Sequence, residues 1–242
     1  MKSNRISLVL ALSAVAMVAI VLAASSASAA VIAATNFDDR TLTTVNIAND
    51  TATNLNWTTN GVEDPGDMTA LRAGTTPQAL FDTTATTQDM FAPALNVGNE
   101  NTFWTTTIDL TVSAGLAVTL EDVTFDYWAI NGGQAQNVNR KSDFTITLLD
   151  PSDGVVDSVF IDDVLSGTTA GVAEVSAEFA APIALTAPGT YTLQIKAAEA
   201  PETGNHIGID NLSINGTVPE PTSLALAGLG LLGVIARRRR KR

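Results

Sequence analysis

The side chains able to do chemistry in this chain are nearly all carboxylates: twenty-five Asp and Glu stand against one histidine and no cysteine. Nucleophilic catalysis needs an activated hydroxyl or thiol beside a base, and the chain has neither a thiol nor a G-x-S-x-G turn. His206 has no second histidine or cysteine to share a zinc ion, and it reads as a surface or packing residue at a strand start. A glycosidase works with two carboxylates, so Asp126 with a second acid would be of the right type. No spacing singles out that second acid, and a solvated acidic surface accounts for the carboxylates better. The residues therefore point to a protein that is not an enzyme. One aromatic stands among acids. Trp128 shares a strand phase with Thr124 and Asp126, opposite Phe125 and Tyr127. On an open polar face its ring would be a platform for stacking on a sugar; beneath the segment 60–98 it would be core. Trp104 falls in an apolar phase and is expected in the core.

A different chemistry is written in residues 218–242. Glu220 is held between Pro219 and Pro221, which keep the chain extended and display the carboxylate. From Leu224 to Ala236 there are only Leu, Ala, Gly, Val and Ile, and then come Arg237, Arg238, Arg239, Arg240, Lys241 and Arg242. As a helix that apolar run spans about 20 Å, short of the ~30 Å hydrocarbon core of a bilayer. Long basic side chains reach outward to make up part of the difference. A cation cluster after an apolar run is a stop-transfer signal that stays on the cytoplasmic side. Gly228, Gly230 and Gly233 fit G-x-G-x-x-G, but they follow no strand and lie inside the apolar run, so they are small residues for close helix packing.

Pro219-Glu220-Pro221, the short apolar helix and the terminal basic cluster together resemble the PEP-CTERM sorting signal of exosortase-processed bacterial proteins. The resemblance implies that an exosortase, an integral-membrane cysteine transpeptidase, cuts near the motif. It further implies that the cargo passes to the cell surface or the exopolysaccharide matrix. On that reading the chain is a substrate, held in the membrane by its C-terminal helix until it is processed. An ordinary anchor has no need of Pro-Glu-Pro and wants about 20 apolar residues.

The other end agrees. Lys2 and Arg5 precede an apolar run from Ile6 to Ala24, and Ala27-Ser28-Ala29 is a small-residue cleavage site. The chain thus divides into a signal peptide at 1–29, a domain at 30–217 and a sorting segment at 218–242. Eight of the thirteen cations lie in the two terminal segments. The domain keeps Arg40, Arg72, Arg140, Lys141 and Lys196 against twenty-four carboxylates, a net charge of -19. Such a surface repels nucleic acid and attracts divalent cations. With no cysteine the exported domain has no disulfides, and its length suffices for a core of its own.

Thirty-two threonines with many Val and Ile favour strands. Trp104, Ile108, Leu110 and Val112 share one phase, with Thr105, Thr107, Asp109 and Thr111 opposite. Val118 and Leu120 lead to Val123, Phe125 and Tyr127 with a slip at Glu121-Asp122, the mark of a bulge. Phe144, Ile146 and Leu148 alternate with threonines, Asp150 to Gly154 turns the chain, and Val155 to Ile161 returns as the second arm of a hairpin. Val172 to Phe179 is another strand. Tyr191, Leu193, Ile195 and Ala197 face inward after Pro188-Gly189, and His206 to Ile214 is the last strand. The expected fold is all-β: an antiparallel β-sandwich of the jelly-roll kind, with 60–98 as short strands and long loops.

Asn36-Phe37-Asp38-Asp39 and His206-Ile207-Gly208-Ile209-Asp210-Asn211-Leu212-Ser213-Ile214 resemble the first and last strands of galactose-binding-like and carbohydrate-binding-module jelly rolls. Pro188-Gly189-Thr190-Tyr191-Thr192-Leu193 resembles their penultimate strand. The resemblance implies that first and last strands are neighbours. It also implies a structural calcium held by a carboxylate from each end, here Asp38 or Asp39 with Asp210. A phase slip at Asp210-Asn211 fits a bulge that re-aims a side chain, although the same residues would serve simply to hydrogen-bond a turn. Calcium needs six to eight oxygens, and no complete ligand loop is present. The function expected is that of a non-catalytic, acidic β-sandwich at the cell surface or in the exopolysaccharide matrix. The alternatives are a carbohydrate-binding module and, behind it, a polysaccharide-acting enzyme.

Overall fold

The structure is a computed structural model that describes residues 28–37, 41–44, 49–53, 55–73, 91, 103–114, 116, 118–131, 140–166, 173–199 and 205–218. The chain forms two compact units, Ala29–Thr217 and a second made of Met1–Ser28 with Val218–Arg242. Of the second unit only Ser28 and Val218 are among the described residues. Residues 1–27 of the expected signal peptide, Pro219, Glu220, Pro221 and the basic cluster therefore lie outside them, while Ser28 and Ala29 are described in a strand. Among the described residues no helix is long and apolar enough to cross a membrane.

Twelve strands are described: β1 Ser28–Thr35, β2 Thr41–Thr44, β3 Asn49–Thr53, β4 Thr58–Thr59, β5 Met68–Ala73, β6 Phe103–Val112, β7 Val118–Asn131, β8 Lys141–Leu149, β9 Val155–Leu165, β10 Ala173–Leu185, β11 Gly189–Glu199 and β12 Asn205–Val218. They form a five-stranded sheet in the order β10-β7-β12-β1-β4 and a seven-stranded sheet in the order β2-β3-β5-β6-β11-β8-β9. From β6 onward the chain crosses repeatedly from one sheet to the other, the wrapping of a jelly-roll sandwich. The first strand lies beside the last, as expected.

Period-2 alternation builds the core. Trp104, Ile108, Leu110 and Val112 of β6 are buried, as are Phe144, Ile146 and Leu148 of β8 and Tyr191, Leu193, Ile195 and Ala197 of β11. From the five-stranded sheet Val123, Phe125 and Tyr127 of β7 meet them. The Phe125 and Tyr127 rings stand edge-on to Phe144, with centroids 5.1 and 5.2 Å away. The Tyr127 hydroxyl lies 2.6 Å from Ser142 Oγ, and the Trp104 indole N–H donates to the Ile207 carbonyl at 3.2 Å. Each link joins one sheet to the other, so the polar ends of buried aromatics are satisfied across the sandwich. Phe91 carries the aromatic cluster further, stacked on Phe37 at 5.9 Å and edge-on to Trp104 at 5.8 Å.

Both register slips read from the sequence are real. On β7, Leu120 and Asp122 pair with Gly216 and Asn215 of β12, so Glu121 is the extra residue in that ladder, while on the other side the same two pair with Ile183 and Glu178, so that residues 179–182 of β10 bulge opposite Glu121. On β12, Asp210 pairs with Asp126 and Ser213 with Thr124, which leaves one residue too many at Asn211-Leu212. The Asp150 turn holds through its side chain: Asp150 Oδ1 accepts the N–H groups of Ser152 and Gly154. The returning strand β9 is longer than expected and forms an edge of the seven-stranded sheet. The strand expected at Val172 to Phe179 runs on to Leu185, carrying Pro182 at the sheet edge where a missing N–H is tolerated.

Candidate functional site

The bulge on β12 starts from an electrostatic conflict. Asp126 and Asp210 are direct cross-strand partners, and like charges in that relation repel. Asn211, the residue that follows, resolves it. Its backbone N–H donates to Asp210 Oδ1 at 2.7 Å, and its side-chain Nδ2 donates to Asp126 Oδ2 at 2.7 Å. To do both it takes a positive φ of 47°, a conformation that asparagine tolerates better than most residues. A carboxylate only accepts, so the bond to Asp126 fixes the amide: nitrogen toward β7, oxygen away from it. Further along, Ser213 donates to Asn215 Oδ1, and Asn215 donates to Asp122.

The exposed Asn211 side chain forms one wall of a groove of about 520 Å³. Sheet order explains the other walls. β1 lies between β12 and β4, so Asn36 at the end of β1 and Asn56-Trp57 leading into β4 come alongside the β12 bulge. The Trp57 indole N–H donates to the Gly66 carbonyl at 2.7 Å. That carbonyl is presented by a tight turn, Asp64-Pro65-Gly66, in which Gly66 has φ +73° and donates its N–H to Asp64 Oδ1 at 2.8 Å. The ring is thus anchored by its edge and half-buried, and among the described residues of the groove wall none is charged. The described walls offer amide donors and acceptors, hydroxyls and an aromatic surface.

Trp128 is not a surface platform. Its side chain is 6% exposed, and Tyr127, Trp128 and Ala129 are buried in succession. Strand phase told which face of the sheet the ring is on; burial on both faces at this end of β7 covers it. Among the described residues its indole N–H has no acceptor. Trp104 is fully buried in the core. Asp210 is 3% exposed and sits at the bulge with Oδ1 committed to the Asn211 N–H. Asp38 and Asp39 lie outside the described residues. The described part of the proposed calcium set is therefore one carboxylate, well short of a six-oxygen shell. Among the described residues the three carboxylates that converge are others: Asp143, Asp162 and Asp163, on the β8–β9 side. Asp163 there is salt-bridged to Lys141, and Asp143 accepts its backbone N–H.

The groove residues Asn56, Trp57 and Asn36 carry no pattern that marks a site from the sequence alone. The usable signal was the slip at Asp210-Asn211 together with a tryptophan set in an otherwise polar segment at 56–60.

Among solved structures, the chain is similar to the enzymatically active domain of tailspike protein 4 of bacteriophage CBA120, with 16% identity and a TM-score of 0.34 over 75% of this chain and 20% of that one. It is similar to TmCBM61 in complex with β-1,4-galactotriose, with 10% identity and a TM-score of 0.29 over 74% and 89% of the two chains. A third likeness is to a structure of carbohydrate-binding modules from the β-sandwich superfamily, with 11% identity and a TM-score of 0.30 over 78% and 86%. At such TM-scores these likenesses decide no ligand for this chain. No curated protein matches it. The match that does locate a function lies at the other end of the scale of length: the family model of the PEP-CTERM protein-sorting motif covers residues 217–241, and the chain carries that motif there.

Proposed function

We propose that this protein is cargo of an exosortase: exported, held transiently in the membrane by residues 224–242, cut near Pro219-Glu220-Pro221, and released to the cell surface or exopolysaccharide matrix as a non-catalytic acidic β-sandwich. The match of residues 217–241 to the sorting motif carries the reading. Three physical features stand in one order there: a displayed Glu220 between prolines, an apolar run too short for a comfortable permanent span, and a stop-transfer cluster. The sandwich ends where the motif begins, since β12 closes at Val218. Cleavage near the motif would thus leave the β12 pairings with β7 intact, the last of which is Thr217 with Thr119.

Membrane fractionation of producing cells tests this. Glu220→Ala, or deletion of residues 219–221, is expected to leave uncut precursor in the membrane fraction while the wild type appears at the surface or in the matrix. Normal processing of either variant would reduce the tail to a plain anchor. No processing of the wild type in cells with an active exosortase would overturn the reading altogether.

A further inference from the structure

We infer that the groove between the β12 bulge and the β1 and β4 strands is a binding site for a neutral oligosaccharide, centred on Trp57, Asn56, Asn36 and Asn211. Its size comes first: about 520 Å³ falls within the range of small-molecule sites, large enough for more than one sugar ring. Its chemistry comes second. A pyranose presents vicinal hydroxyls, each both donor and acceptor, around an apolar C–H face. Asparagine amides carry donor and acceptor groups of the kind hydroxyls pair with, Asn211 here presenting its oxygen, and an indole matches the C–H face. Three asparagines and one tryptophan line this groove.

Preorganisation comes third. The Trp57 ring is pinned by its N–H bond to Gly66, and the Asn211 amide is pinned by its bond to Asp126. Both would otherwise lose rotamer freedom when a ligand binds. The charge of the ligand follows from the wall and from what stands behind it. No cation is among the described residues that line the groove, Asp126 and Asp210 lie directly behind Asn211, and the domain as a whole carries -19. Uronic acids and sulfated sugars would be repelled; neutral hexoses or pentoses would not. A peptide is the poorer match, because the groove offers no string of apolar pockets for side chains.

The inference rests on the reading of the protein as matrix cargo, since that is where polysaccharide is met. The two fail separately. A chain that is processed normally but binds no oligosaccharide sinks the groove alone, and a chain that binds but is never processed sinks the export reading alone.

The test is titration calorimetry on the full chain in a detergent without a sugar headgroup. The probes are cellohexaose, xylohexaose, mannohexaose and maltohexaose, with hexagalacturonate as the anionic arm. At least one neutral probe is expected to bind, with Trp57→Ala weakening it about tenfold or more and Asn56→Ala about threefold, while Trp128→Phe leaves it unchanged. If Trp57→Ala fails to melt cooperatively, Trp57→Phe and Asn56→Ala carry the test, and both must still weaken binding. The inference is overturned by no neutral probe binding below about 10 mM, by binding that ignores all three groove variants, or by preference for hexagalacturonate.

Discussion

Replacing Gly216 by alanine puts a single methyl group where two strands come closest. Gly216 lies on β12 opposite Leu120, next to the slip that leaves Glu121 unpaired. A Cβ built there meets Thr119 O at 1.8 Å, the Thr119 carbonyl carbon at 2.8 Å and Ile32 Cδ1 at 2.7 Å. The first contact is roughly 1.5 Å inside the shortest comfortable C···O separation of about 3.3 Å. The Ile32 side chain can turn away, but Thr119 O is backbone. β7 is hemmed by β10, and β12 by β1, so neither strand can step aside without breaking its other ladder. Two ladder bonds lost at about 1 kcal/mol each, with overpacking of about 1–3 kcal/mol, give roughly 3–5 kcal/mol. For a domain of this length that is a fall in Tm of about 6–20 °C. Gly66→Ala is the matched control. Gly66 has φ +73° and open space around its missing Cβ, so it carries only the left-handed penalty of about 1–2 kcal/mol. Thermal unfolding of both variants of the full chain, followed by circular dichroism, decides the matter. If Gly216→Ala melts no lower than Gly66→Ala, the close approach of β7 and β12 at Gly216 is wrong.

The two buried tryptophans should respond unequally to the same change. Trp104→Phe loses a cross-sheet hydrogen bond as well as volume, whereas Trp128→Phe removes a donor that has no acceptor among the described residues. Urea unfolding should show Trp128→Phe within about 1 kcal/mol of wild type and Trp104→Phe at least about 1 kcal/mol worse, and equal losses would mean that the Trp128 indole has a partner. At Asp210, alanine orphans the Asn211 N–H and should cost about 1–3 kcal/mol, while asparagine keeps an acceptor and should cost under about 1 kcal/mol. A calcium role for Asp210 adds a second signature: EDTA lowers the Tm of wild type and leaves Asp210→Asn unmoved, and a wild-type Tm indifferent to EDTA removes that role.

What could be read in advance was whatever the chain encodes along itself. The alternation at Trp104 to Val112 and at Tyr191 to Ala197 is local, so it named the buried face correctly, and the two phase slips located both bulges to within a residue. What escaped was whatever depends on neighbours from elsewhere. Trp128 shows the difference: its phase with Asp126 was read rightly, yet phase assigns a face and not an exposure. β9 shows the converse, with Val155 67% and Phe160 62% exposed on an edge strand, where apolar residues need not be buried. β4 has two exposed threonines and no pattern to detect. Yet that short strand sets Trp57 beside β1, and through β1 beside Asn211. The groove was invisible because it is a property of strand order, not of any one strand.

The scarcity of cations explains why asparagines hold this face together. With five Lys and Arg for twenty-four carboxylates in the domain, most acids must find neutral donors. On the β7–β12 face they do: Asn211 serves Asp126, Asn215 serves Asp122, and a backbone N–H serves Asp210; in turns elsewhere, backbone N–H groups serve Asp64 and Asp150. A neutral amide differs from an ammonium in one respect that matters for function. Lysine has only donors, so pairing it to a carboxylate would leave no acceptor beside the groove. Asn211 donates to Asp126 with its nitrogen and still has an oxygen to offer. A domain that repels anions and solves its own repulsion with amides thereby builds, on its surface, the one kind of polar wall that suits an uncharged polyol.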